Sequence, residues 1–331
     1  MKSFSDRLIL WHAKSGRHHL PWQHSKDPYR VWVSEIMLQQ TQVATVIDYY
    51  NRFIKKFPTI KALAHANEEE VMQLWSGLGY YRRARFLHEG AQMIMDEMGG
   101  QFPSDFDMML KIPGIGRSTA GAIAAFSFNQ KKAILDGNVK RVLSRYFLIN
   151  QWTGLPRTEK KLWAYAESLL PNKNISTYTQ ALMDLGATLC NKKPQCDICP
   201  LKKTCLAFQK NKMHLIPVPR PQKMIPIEST QMVIIKNHDE VLLVKRPQDG
   251  IWGGLWSLPQ YENKSLSPRA WVKKYFGLET DLIQKNLKAT TTFTHFKLEI
   301  TYSVLEAKSS RAKRPHTWLT LNSLEGAAVP A

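Results

Sequence analysis

LKIPGIGRSTAGAI, residues 110–123, sets Pro113, Gly114, Ile115 and Gly116 in a row between apolar residues at helical spacing. Proline and glycine together end one helix and open the next. The stretch reads as a tight hairpin between two helices. Gly114 and Gly116 let the backbone reach positive φ and approach a ligand closely. The exposed N–H groups at the start of the second helix can then cradle a phosphate. Alone, the pattern is equally that of an ordinary helix-to-helix turn, so its meaning rests on what surrounds it.

The surroundings are helical. PYRVWVSEIMLQQTQVATVIDYYNRFIKKF and NEEEVMQLWSGLGYYRRARFLHEGAQMIMDEM place apolar residues three and four apart. Near residue 215 the texture changes. LIPVPRPQKMIPIEST carries Pro217, Pro219, Pro221 and Pro226, which favours an extended linker. Beyond it, QMVIIKNHDEVLLVKR reads as a β-hairpin around Asn237-His238-Asp239, and TTFTHFKLEITYSVLEAK reads as a strand. Trp271–Leu278 is the helix expected in this half. The expected organisation is an all-α domain over 1–214, a linker over 215–230 and a mixed α+β domain over 231–331. A chain of 331 residues is long enough for two such cores.

The formal net charge is +19, of which residues 231–331 carry +5. Such a balance suits a polyanion, since each neutralised phosphate releases counterions. No apolar run reaches membrane-spanning length, and no signal-peptide pattern opens the chain, so a cytoplasmic location is expected. Structural disulfides are rare there. That bears on CNKKPQCDICPLKKTC, which holds all the cysteines: Cys190, Cys196, Cys199 and Cys205. One C-x2-C knuckle with flanking single cysteines does not make the two knuckles of a zinc ribbon. Four thiolates from one short loop suit a compact iron–sulfur cluster.

Two carboxylates stand in apolar settings. Asp136, in AILDGNVKRVLSRY, can cap the helix that opens near Asn138. Glu35, in VWVSEIMLQQTQ, would share a helix face with Gln39 and Gln42. That face could be a solvated polar stripe. Its neighbours Val31, Trp32, Ile36 and Met37 point instead to a buried helix, where an unpaired glutamate is costly unless used.

PWQHSKDPYRVWVSEIMLQQTQVATV, LWSGLGYYRRARFLH, IPGIGRSTAGAI, ILDGNVKRVLSRY, QALMDLGATLC and the cysteine loop together, in this order, resemble the helix–hairpin–helix DNA glycosylases, and within them the MutY-type adenine-specific family. The resemblance implies two helical subdomains with double-stranded DNA bound across a cleft, a [4Fe–4S] cluster on the cysteine loop, and a Nudix-like domain after it. It implies a monomer engaged in base excision repair, with a sliding clamp or other repair proteins as further partners. Relatives usually continue past LEGAAVPA into another helix.

The implied reaction removes adenine paired with 8-oxoguanine or guanine. By position, Glu35 matches the general acid that protonates the base. Asp136 matches the carboxylate that stabilises the cationic sugar, and Asn138 a supporting residue beside it. Two carboxylates divide such work in glycoside hydrolysis too. Ser118 stands where the endonuclease III branch carries a Schiff-base lysine, so the resemblance implies a glycosylase without efficient strand cleavage. Gln40, Leu78 and Tyr80 match positions that probe the lesion pair, although Leu78 and Tyr80 would otherwise read as core. Gln180 matches an active-site wall. Lys192 and Lys193, with Lys202 and Lys203, would meet phosphates. The family's cysteine spacing is C-x6-C-x2-C-x5-C, and this loop is one residue shorter between Cys190 and Cys196.

VLLVKRPQDGIWGGLWSLPQ resembles the start of a Nudix domain, but only Glu262 and Glu279 follow where a Mg²⁺-binding glutamate cluster would stand. The domain is therefore expected to recognise rather than hydrolyse. A Phe-Ser-His loop reads 8-oxoguanine in the family. Here it is Phe293-Thr294-His295, with a threonine hydroxyl able to accept from the lesion N7–H.

Overall fold

The computed structural model describes residues 2–221, 225–248, 250–261, 265–293, 295–324 and 327–330. Two compact units emerge, one of residues 1–66 and 86–222, the other of residues 67–85 and 223–331.

The first unit is helical. It comprises α1 (Phe4–Ser15), α2 (Pro28–Met37), α3 (Val43–Lys56) and α4 (Ile60–Ala64), then most of α6 (Arg82–Glu97). α7 (Phe106–Met109), α8 (Arg117–Phe128), α9 (Gly137–Tyr146), α10 (Pro156–Ser168), α11 (Ile175–Thr188) and α12 (Leu206–Gln209) complete it. The intervening α5 (Glu68–Trp75) belongs to the second unit. α2 starts sharply because Asp27 accepts the Tyr29 N–H and Pro28 takes the first turn, where no donor is needed. It is apolar nearly all round: Val31, Trp32, Val33, Ile36 and Met37 are buried. α2 packs on α8, and α11 packs on α1, α8 and α9. The core around α9 and α11 is built from Leu8, Val139, Val142, Leu143, Leu162, Leu182 and Leu185.

The hairpin expected at residues 110–116 is present. Gly114 has φ of 80°, the Ile115 N–H donates to Ile112 O, and α8 begins at Arg117 with no side-chain cap. One expectation fails beside it. Glu35, Gln39 and Gln42 do not share a helix. α2 ends at Met37, Gln40 turns the chain at φ 58°, and Gln42 is the N-cap of α3. The apolar spacing runs on across the break, so periodicity alone reads as one helix.

The second unit holds a mixed sheet. β1 (Ile227–Asn237), β2 (Glu240–Lys245), β3 (Trp256–Ser257), β4 (Thr280–Thr292), β5 (Lys297–Ala307) and β6 (Thr317–Thr320) form it, in the order β3-β2-β1-β5-β4 with β6 also on β2. β1 and β5 run parallel in register from Ile227↔Lys297 to Lys236↔Glu306. β1 and β2 form the expected hairpin, and α13 (Pro268–Phe276) is the expected helix. β1 starts at Ile227, inside the stretch read as linker. TTFTHFKLEITYSVLEAK is not one strand: β4 and β5 pair antiparallel, and Phe293, His295 and Phe296 lie between them. The Phe293 N–H donates to Phe296 O at 2.8 Å. Val233, Ile235, Leu242, Trp271, Val272, Phe276 and Leu305 make the core.

α8 lies hard against the segment 129–136. A Cβ at Gly121 would sit 2.2 Å from the Ala133 carbonyl oxygen. Gly121→Ala is therefore expected to destabilise the helical unit by about 1–3 kcal/mol. Urea unfolding followed by helical circular dichroism reads it, and an unchanged midpoint would mean that α8 slides freely.

Candidate active site

A cavity of about 670 Å³ opens in the helical unit. Glu35, Ser118, Asp136, Asn138 and Gln180 all line it, joined by Gln39, Trp22 and His18. Five positions scattered over 145 residues of sequence thus meet at one site.

Glu35 is the only acidic residue of α2 and opens onto this cavity. Burial among protein atoms, with a smaller push from the Asp136 carboxylate, drives its carboxyl up to about 8. Asp136 caps α9, and its Oδ1 accepts the Val139 N–H at 2.8 Å. Burial raises its carboxyl above the ordinary range as well. The N–H groups of Val139 and Asn138 and the charge of Arg141 work against that rise. Asp136 thus caps α9 and lines the cavity at once.

Neighbouring contacts fix where Asp136 stands. The Ser118 hydroxyl accepts the Leu135 N–H at 3.0 Å, tying α8 to the residue before it. A Cβ at Gly186 would sit 2.6 Å from the Asn138 Cβ, so α11 touches the first turn of α9. Arg141 donates to Asn138 Oδ1 and Cys190 O, each at 2.7 Å. One turn further, Arg145 donates to Ile216 O and Asn191 O, and its Nη1 lies 3.3 Å from the Cys190 Sγ. α9 therefore runs from the cavity carboxylate to the cysteine loop.

Sequence reading missed the network behind Gln180. Asp184, one turn on, is fully buried. It accepts from the Arg17 backbone N–H at 2.8 Å, from Arg17 Nε and Nη2 at 2.9 and 2.7 Å, and from Gln180 Nε2 at 2.9 Å. His12 Nε2 lies 3.3 Å away. Burial would lift this carboxyl, but the His12 and Arg17 contacts prevail and hold it below its ordinary value. The signal was an aspartate inside the apolar run QALMDLGA, four residues after Gln180.

The remaining expected residues lie elsewhere. Gln40 is exposed in the turn after α2. Gly114 and Gly116 form the hairpin before α8. Lys192 and Lys193 are exposed on the cysteine loop. In the second unit, Leu78 is buried while Tyr80 is 50% exposed at φ 50°. Phe293 stacks on Phe296 with ring centres 4.7 Å apart, and His295 meets Phe296 edge-on. Thr294 and Glu262 lie outside the described residues.

Cys190, Cys196, Cys199 and Cys205 line one small cavity together with Arg145, Leu189 and Phe208. The short segment between the first two cysteines closes on itself. The Lys193 N–H donates to Asn191 Oδ1, and the Gln195 N–H to Leu189 O. Among the described residues, no three His, Cys, Asp or Glu side chains group as they would around a single metal ion. Among them too, no helix is long and apolar enough to cross a membrane.

Comparison with known proteins agrees with this layout. Residues 33–168 match the HhH-GPD superfamily of base excision DNA repair proteins, and residues 230–331 match the NUDIX domain. A thermostable thymine-DNA glycosylase superposes with a TM-score of 0.58 at 30% identity, over 62% of this chain and 95% of its own. The adenine DNA glycosylase of Buchnera aphidicola subsp. Acyrthosiphon pisum is 41% identical over 90% of this chain and 85% of its own length. That of Mus musculus is 34% identical over 99% of this chain and 76% of its own. With relatives of that name 41% and 34% identical over most of its length, and with the HhH-GPD and NUDIX matches in order along it, the chain belongs to the adenine DNA glycosylase family.

Proposed function

We propose that the protein removes adenine paired with 8-oxoguanine or guanine in double-stranded DNA, by base flipping and acid-assisted cleavage of the glycosidic bond. The observation that carries this reading is the pair of carboxylates on one cavity with unlike surroundings. Glu35 is lifted to about 8 and is a proton donor at neutral pH. Burial raises the Asp136 carboxyl too, but N–H donors and the charge of Arg141 oppose that rise and favour its ionised form.

The steps follow from those states. The adenine must leave the stack to reach the cavity. Glu35 gives its proton to adenine N7. The C1′–N9 bond then breaks with its electron pair going to the neutralised base. Positive charge develops on the sugar, and the Asp136 carboxylate stabilises it, through space or as a transient ester at C1′. Water then adds to C1′, giving its proton to the ionised Glu35 carboxylate and displacing Asp136 where the ester has formed, which leaves an abasic site. Asn138 supports Asp136 from the first turn of α9, and Gln180 forms part of the wall. Ser118 has no amine with which to form a Schiff base, so the reaction proceeds without efficient strand cleavage. The uncapped first turn of α8 after Gly114 and Gly116 offers N–H groups to a phosphate. Lys192 and Lys193 add charge on the cysteine loop. Gln40, Leu78 and Tyr80 serve the lesion pair, and Phe293, Thr294 and His295 read 8-oxoguanine.

For the cysteines we infer a [4Fe–4S] cluster. Four thiols drawn from one short loop onto one small cavity suit a compact cluster of this kind. Such a cluster supplies an anchor for the loop, and no bond-breaking step passes through it.

Four outcomes test these assignments. Single-turnover adenine release should be flat at neutral pH and fall as pH rises through about 8, as Glu35 loses its proton. Glu35→Gln should be slower by at least about 100-fold; a Gln variant with the same profile would remove Glu35 from the role of acid. Asp136→Asn, whose amide keeps a cap acceptor, should lose turnover while holding duplex affinity. An equal loss of binding would reduce Asp136 to a helix cap. Anaerobically purified protein should carry about four iron and four sulfide per chain, and stoichiometric zinc instead would overturn the cluster.

A further inference from the structure

The second unit joins the chain segment 67–85 to the C-terminal residues 223–331. Two parts of that unit are assigned above to the lesion pair: the Tyr80 turn and the Phe293–Phe296 turn. Nothing so far explains what holds them to each other.

The Tyr80 turn is tightly built. Gly77, Gly79 and Tyr80 all have positive φ, and for Tyr80 that conformation is strained. Trp75 Nε1 and Arg83 Nη2 both donate to Gly79 O, at 3.1 and 3.0 Å. The Arg83 guanidinium also lies over the rings of Trp75 and Tyr80, at 5.3 and 5.5 Å. Two residues on, Arg85 faces another way. Its Nε meets Glu68 Oε1 at 3.3 Å, its Nη2 donates to Gly253 O at 2.7 Å, and its Nη1 reaches Gln248 O at 3.4 Å. Glu69 accepts from Trp256 Nε1 at 2.7 Å, and Tyr81 donates to Val329 O at 2.9 Å.

The loop that Arg85 grips, between β2 and β3, is closed on itself. Gly254 N–H donates to Pro247 O, and Arg246 N–H to Leu255 O. A Cβ at Gly253 would stand 2.1 Å from Gln248 O, and one at Gly254 would stand 2.6 Å from Arg85 Nη2. On the crest of this loop, Trp252 (φ 57°) sets its ring edge-on against Phe293 at 5.7 Å. Phe293 in turn stacks on Phe296. Contact therefore runs unbroken from the Tyr80 turn through Arg85 and Trp252 to the Phe293 turn.

We propose that Arg85 is a positioning residue for lesion discrimination. By clamping the loop 247–255 to the segment 67–85, it sets the Tyr80 and Phe293 turns as one reader of the base opposite adenine. The inference rests on the proposed reading of 8-oxoguanine by the Phe293 turn. Lysine cannot replace Arg85, because the clamp uses a planar fork aimed at a carboxylate and two carbonyls, not a point charge.

The test uses the full chain and compares single-turnover adenine release opposite 8-oxoguanine and opposite guanine. Arg85→Gln and Arg85→Lys should leave the rate opposite guanine within about twofold, yet cut the 8-oxoguanine advantage by about tenfold or more. Trp252→Leu, which spares the fork and removes the ring on Phe293, should do the same. Its combination with Arg85→Gln should be no worse than either alone, since both cut one connection. An unchanged advantage in folded Arg85 variants overturns the clamp. So does an equal fall opposite both bases, which would mark Arg85 as a structural tether. So do additive effects. A wild type with no 8-oxoguanine advantage overturns the lesion reading, and the clamp with it; a wild type whose advantage survives Arg85→Gln overturns the clamp alone.

Discussion

The helical unit turns on the double duty of Asp136. As the cap of α9 its carboxylate must accept the Val139 N–H, and as a wall of the cavity it must face Glu35. Both duties need it in one place. Ser118 ties the preceding residue to α8, the Gly121 contact seats α8 against Ala133, and Gly186 lets α11 close on Asn138. At the other end of α9, Arg145 is held by the carbonyls of Ile216 and Asn191. A helix anchored at the cysteine loop and capped at the cavity cannot rotate or slide without breaking one end. The cysteine loop, far from the cavity in sequence, is thus part of what fixes the carboxylate.

Much of this was legible. Periodicity marks the helices, Pro-Gly-Ile-Gly marks the hairpin, and the cysteine spacing marks the loop. Each is a local signal, carried by residues close together in the chain. What stayed hidden depends on the third dimension. Gln40 breaks the helix by a positive φ that glutamine rarely adopts, so nothing in its chemistry announces the turn. By composition Phe293 and Phe296 read as strand, because aromatic residues favour strands, and only the family resemblance marks a loop there; the two rings stack on each other. The Asp184 network draws on Arg17 and His12, more than 160 residues away. Segment 67–85 looked like one more helical piece, and nothing in Arg85 revealed that it grips carbonyls of the C-terminal domain.

The buried polar groups are divided by purpose. Asp184 is satisfied from several sides and kept ionised, so it stabilises the fold and rigidifies the wall that carries Gln180. Glu35 is left without such support. Its carboxyl titrates at about 8 in the fold and at an ordinary value near 4.5 in the unfolded chain. Below the ordinary value it is protonated in both states and leaves stability unchanged. As pH rises, the unfolded chain ionises first and folding becomes steadily less favourable, until the folded carboxyl ionises as well and the loss levels off. At neutral pH the chain therefore keeps a proton on Glu35 at the expense of stability. The apolar face of α2 offsets that cost, since Val31, Trp32, Val33, Ile36 and Met37 are buried around the one acid. The same burial that makes the helix stable makes its glutamate an acid, which is why a polar residue persists where the pattern alone would place another hydrophobe.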